Sequence, residues 1–186
     1  MGVLAGNGGA AHGDRWRVAI WGLAALMLLT PLVAMQFTRE VTWDAADFIV
    51  FGTMLVVACG TYELAARATG SGTYRAAVGI AVATAFLLVW INLAVGIIGS
   101  EGNPANLMFG GVLAVAVVGA LVAQFRPGGM TYALIATAGI HALVAVIAVA
   151  GLAADLSTLM LNGFFVALWL VSAGLFRRAA RDASRA

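Results

Sequence analysis

Apolar residues in this 186-residue chain come in long blocks separated by short stretches rich in glycine, arginine or acidic side chains. The blocks cover residues 16–37, 47–67, 76–99, 106–125, 130–151 and 158–176. Each is close to the ~20 residues that a helix, rising about 1.5 Å per residue, needs to cross a hydrocarbon layer about 30 Å thick. Backbone amides in lipid must be bonded within their own segment, which helices achieve. Strands of a membrane barrel would instead be about 10 residues long with alternating polarity, a pattern this chain lacks. The pattern predicts an all-α fold: a polytopic membrane helix bundle of six transmembrane helices over residues 15–178. A flexible tail at 1–14 is expected before it and a basic tail at 179–186 after it.

The polar punctuation carries a second, independent signal. Glu40, Asp44, Asp47, Glu101 and Asp155 fall in the connections after the first, third and fifth blocks. Arg15, Arg17, Arg67, Arg75, Arg126, Arg177, Arg178, Arg181 and Arg185 fall in the other connections and the two tails, and only Arg39 lies on the opposite side. Excess arginine marks the cytoplasmic face, so both termini are expected there, and an even number of crossings follows. The first block, with its basic start, resembles a secretory signal. Its apolar run is long and no small-residue cleavage site follows, so an uncleaved anchor is expected, with Pro31 in position to disturb its outer part.

Composition sharpens the class. Hydrophobic residues make up 63% and charged residues 10% of the chain, against about 25% charged in soluble domains, which leaves no room for a soluble catalytic domain. The sequence pI of 9.2 comes from arginines beside apolar blocks, not from one basic stripe, so it points to orientation in a bilayer and not to nucleic acid. Cys59 is the single cysteine, which excludes an intramolecular disulfide and a cysteine metal cluster. The chain has no lysine, which excludes a retinal Schiff base. One histidine in the apolar blocks excludes a bis-histidine haem. No H-E-x-x-H, G-x-S-x-G or phosphate-binding glycine loop occurs, and neither a metal nor any other cofactor is implied.

The polar stretch "GSEGNPAN" at 99–106 returns at once to apolar residues. Gly99 and Gly102 can take positive φ, and Pro104 holds Asn103 extended, which is turn chemistry. Asn106 stands where it can cap the next helix. Glu101, Asn103 and Asn106 form a candidate extracytoplasmic binding loop, but one carboxylate and two amides are too few for a calcium or magnesium site.

Within the blocks, ionisable and amide side chains are the candidate site, because such groups are costly in hydrocarbon. Glu63 has Arg67 four residues on, a spacing that places both on one helix face. His141 lies near mid-membrane, where a neutral imidazole can bond a facing helix or relay protons. Asn92 and Asn162 belong to the outer half. Facing one cavity above Glu63, they and His141 would make a polar ladder. Small residues at three- and four-residue spacing, Ala116, Gly119, Ala120 and Ala123 in the fourth block and Gly163 with Ala167 in the sixth, read as seams for close helix packing. "FG" and "TY" recur at a separation of 58 residues, which a duplication or chance similarity of Gly/Ala/Val-rich helices would each produce.

From "WRVAIWG" through "TPLVAMQFT", "YELAARATG", "YRAAVG", "FLLVWINLAVGIIGSEGNPANLM" and "LNGFFVALW", the chain resembles a family of small uncharacterised bacterial inner-membrane proteins. The resemblance implies a bacterial cytoplasmic membrane and supplies no activity. Two functions therefore stand as expectations. One is a structural, interaction or accessory membrane subunit, whose partners are membrane lipids and a second copy or another membrane protein. The other is a small solute or proton transporter or channel using His141, Asn92 and Glu63. A membrane enzyme is the least supported, since no nucleophile and base stand at a recognisable spacing.

Overall fold

The computed structural model describes residues 8–152 and 155–185. Six helices occur among them: α1 (Gly8–Ala34), α2 (Ala45–Ala68), α3 (Gly72–Ala94), α4 (Met108–Val122), α5 (Pro127–Leu152) and α6 (Leu156–Ala183), with one 3-10 turn at Pro104–Leu107. No strand occurs among the described residues. Six segments are long and apolar enough to cross a membrane. The chain is an all-α, multi-pass membrane protein.

The helices depart from the apolar blocks at places where local chemistry decides. The backbone of α1 starts at Gly8, inside the stretch expected to be a flexible tail; residues 1–7 lie outside the described ones. Its Pro31 lies one turn from the C-terminus, and the Met35 amide still bonds the Pro31 carbonyl at 3.0 Å. Helix α3 stops at Ala94, five residues before its apolar block ends, because Gly96 adopts φ +74°. A Cβ on Gly96 would strike the backbone of Ser100, so this turn requires glycine. Of the two glycines that could take positive φ, Gly99 does so and Gly102 does not; the second positive φ is at Gly96. Helix α4 ends at Val122, where Gln124 and Phe125 turn left-handed just ahead of Pro127, the first residue of α5. Helix α6 runs to Ala183, through most of the expected basic tail.

The chain divides into two compact units, Met1–Leu64 and Ala65–Ala186. In the first, Gly52 of α2 faces Leu28 of α1, and Trp16 meets Tyr62 edge to face at 5.7 Å between ring centroids. Phe51, Leu55, Cys59 and Glu63 follow one another at four-residue steps, so they share the buried face of α2.

The second unit is built around α6, which packs on α3 and α5, while α4 packs on α5. Its buried face reads Thr158, Asn162, Phe165, Trp169, Ser172, Phe176 and Ala179, alternating steps of three and four. Ser172 Oγ donates to the Ala77 carbonyl of α3 at 2.7 Å, and Tyr74 of α3 stacks edge-on against Phe176. The Tyr74 hydroxyl also donates to the Phe125 carbonyl at 2.7 Å, which ties the left-handed turn after α4 to the start of α3.

Close approach of α4 and α5 depends on Gly119: a Cβ there would lie 2.8 Å from the Ala133 Cβ and 3.3 Å from its Cα. The sixth-block seam is different, since Gly163 has open space around it and Ala167 is exposed. Gly119→Leu is expected to destabilise the detergent-solubilised protein by about 1–3 kcal/mol through overpacking. Gly163→Leu should stay within about 0.5 kcal/mol of wild type. Thermal unfolding followed by circular dichroism reads both, and equal midpoints would refute the α4–α5 seam.

Candidate functional site

His141 lies on the buried face of α5, four residues after Thr137 and three before Val144, and is completely buried. Its ring stacks on Phe165 at 5.7 Å and tilts against Phe109 at 5.5 Å. Both nitrogens are occupied. Trp169 Nε1 donates to His141 Nδ1 at 3.2 Å, and Nε2 stands 3.0 Å from Asn162 Oδ1. The indole N–H can only donate, so Nδ1 must present its lone pair and the ring proton must sit on Nε2, donated to the amide oxygen. Asn162 Nδ2 in turn donates to the Thr158 carbonyl at 2.8 Å, which orients the amide. The result is a neutral histidine of fixed tautomer. Protonating Nδ1 would set two N–H donors against each other.

Asn162 and Trp169 are seven residues apart, two turns of α6, and so face the same side toward α5. The sequence pattern flagged Asn162 and His141 but not Trp169, whose position one heptad from Asn162 was the available signal.

A second cluster closes the connection between α3 and α4. Asn106 Oδ1 accepts the amides of Ile97 and Ile98 at 3.1 and 2.9 Å, while its Nδ2 donates to the carbonyls of Ser100 at 2.7 Å and Ile98 at 3.4 Å. The side chain thus works backward on the loop instead of capping α4. The cap belongs to Asn103, whose Oδ1 accepts from the Ala105 amide at 3.0 Å and opens the 3-10 turn. Asn92 Nδ2 donates to the Asn106 carbonyl at 3.3 Å, and Asn92 Oδ1 is buried without a hydrogen-bond partner among the described residues. Glu101 is exposed in the same loop. The Asn92, Asn103 and Asn106 side chains bind backbone of this connection, and no cluster of three or more potential metal ligands occurs among the described residues.

Thr158 joins the two clusters, since its hydroxyl lies within bonding distance of the Ile97 carbonyl at 3.3 Å and of Asp155 Oδ1 at 2.9 Å. Asp155 caps α6, accepting from the Thr158 amide at 2.9 Å and from Ser157 Oγ at 2.8 Å. These donors, the Thr158 amide foremost, hold its carboxyl below the usual carboxylate range.

Glu63 belongs to the first unit. Its Oε1 lies 2.8 Å from Arg17 Nε, and its Oε2 accepts from Trp21 Nε1 at 2.8 Å. Sequence spacing pointed to Arg67 on the same helix and missed these two partners on α1. No family model, curated protein or solved structure matches the chain.

Of the four intramembrane candidates, the structure bonds His141 to Asn162 directly and places Asn92 against Asn106. Substituting His141 by Phe keeps an aromatic ring, somewhat larger, but strands the Trp169 N–H and the Asn162 oxygen, at about 1–3 kcal/mol each. Thermal unfolding in detergent should show a large loss, and wild-type stability would sink the network. Asp155→Ala should lower the unfolding midpoint at neutral pH. Because the folded carboxyl titrates below its unfolded value, this contribution is present above the ordinary carboxylate range and fades as pH falls through the folded value. The two proteins should therefore begin to draw together only as pH falls below about 4, the ordinary carboxylate value, and a constant difference at all pH values would refute the cap.

Proposed function

We propose that the chain is a structural or interaction subunit of the bacterial cytoplasmic membrane, with both termini in the cytoplasm. The observation that carries this reading is the closure of the His141 network. A transport residue must exchange partners with a solute or proton, yet His141 has both nitrogens engaged by Trp169 and Asn162 and no exposed surface. Glu63 likewise has both oxygens engaged. The resemblance to bacterial inner-membrane proteins and the one-sided arginines support the compartment and the orientation. Lipids contact the outward apolar faces, and the exposed small residues Gly163 and Ala167 suit a second copy or another membrane helix.

A transporter for a small solute or protons is the second reading, and Asn92 favours it, because a buried acceptor without a partner is what a passing ligand would use. Proteoliposomes separate the two. Wild type, His141→Ala and Asn92→Ala are all expected to match empty vesicles in proton leak and solute flux. Crosslinking in native membranes should trap species heavier than one chain, and reporter fusions at both ends should report the cytoplasm. Flux abolished by either substitution would replace the subunit reading with transport.

A further inference from the structure

Helix α6 does not stop where its apolar run stops. Beyond Phe176 it continues for seven residues, about 10 Å of helix, as "RRAARDA". Ala179 remains buried along this extension while Arg178, Arg181 and Arg185 are exposed. Arg178 and Arg181, three residues apart, share one face of the helix, and Arg185 follows in the turn just after it. With Thr73 and Ala76 of α3, Leu175 and Asp182, they line a groove of about 500 Å³. None of the three guanidinium groups is ion-paired among the described residues, including with Asp182, which lines the same groove. Thr73 lies in the first turn of α3, so the positive end of that helix is beside the groove.

We propose that this groove binds the phosphate of an anionic phospholipid. Three unpaired guanidiniums against one carboxylate leave a net positive groove. Guanidinium is suited to phosphate because its planar fork donates two parallel hydrogen bonds to two oxygens. A lipid, and not a free anion, is favoured by position. The groove begins at Leu175 and Ala76, within membrane-spanning segments, and opens among the arginines just past the apolar run, which is the depth where headgroups lie. The Thr73 hydroxyl offers a further donor to a phosphate or glycerol oxygen. The inference requires only that the chain is embedded in a membrane, and it holds whether the protein scaffolds or transports.

Native mass spectrometry of the full chain in a neutral detergent, titrated with phosphatidylglycerol or phosphatidylcholine, tests it. Wild type should retain phosphatidylglycerol selectively. Arg178→Gln/Arg181→Gln should weaken that binding on the order of 30-fold, from about 1 kcal/mol per arginine. Arg126→Gln/Arg177→Gln removes the same charge outside the groove and should leave the affinity close to wild type. Asp182→Asn removes the one carboxylate in the groove and should tighten binding, a gain that misfolding would not produce. Equal losses in the two double variants would overturn the proposal in favour of diffuse attraction. Displacement of the lipid by millimolar inorganic phosphate would overturn it in favour of a soluble anion. Failure of Asp182→Asn to tighten binding would also count against it. A flux signal in proteoliposomes would leave the site standing while removing the subunit reading.

Discussion

A polar group carried into hydrocarbon finds no water there, so its partner must come from the protein itself. That constraint organises the second unit more than any single packing contact. Trp169, His141, Asn162 and Thr158 pass hydrogen bonds from one to the next between α5 and α6, each donor matched to an acceptor. Such a chain is directional. The indole can only donate, which fixes the imidazole, which fixes the amide. The aromatic rings of Phe109 and Phe165 close around it, and the apolar faces of the helices then need only to be lipid-compatible where they point outward.

The same constraint explains the connection between α3 and α4. Leaving α3 at Ala94 frees backbone amides and carbonyls near the membrane boundary, and Asn106 gathers four of them with one side chain. Asparagine suits the task because its amide is at once acceptor and double donor. What looks in sequence like a cluster of ligand oxygens is largely a device that makes an irregular backbone tolerable at depth. Its polarity is spent inward, on the chain.

Fold class was legible because it follows from composition and block length, which do not depend on what touches what. Six apolar blocks became six helices; ends shifted by a few residues at most boundaries, and further where a backbone angle intervened, as at Gly96, where α1 began early at Gly8, or where alanine and arginine carried α6 past the apolar limit. The site was legible in its members and not in its connections. His141 and Asn162 stood out as costly residues, yet their pairing depends on how α5 meets α6, which no local pattern encodes. Trp169 reads as one more apolar residue until its N–H is seen to point at an imidazole. Glu63 shows the same limit: Arg67 is its neighbour on the helix, whereas Arg17 and Trp21 come from another element, 46 and 42 positions away along the chain.

The pairing of His141 with Asn162 also bears on how the chain enters its membrane. A helix bearing a lone imidazole, or a lone carboxamide, meets hydrocarbon with an unmatched polar group. Two such helices entering together as a hairpin can match them before either is exposed to lipid tails. Only a short connection separates the two helices, and its far side is secured by Asp155, the cap that starts α6. The His141–Asn162 match therefore exists only when α5 and α6 are both in the bilayer, so each helix depends on the other for its place in hydrocarbon.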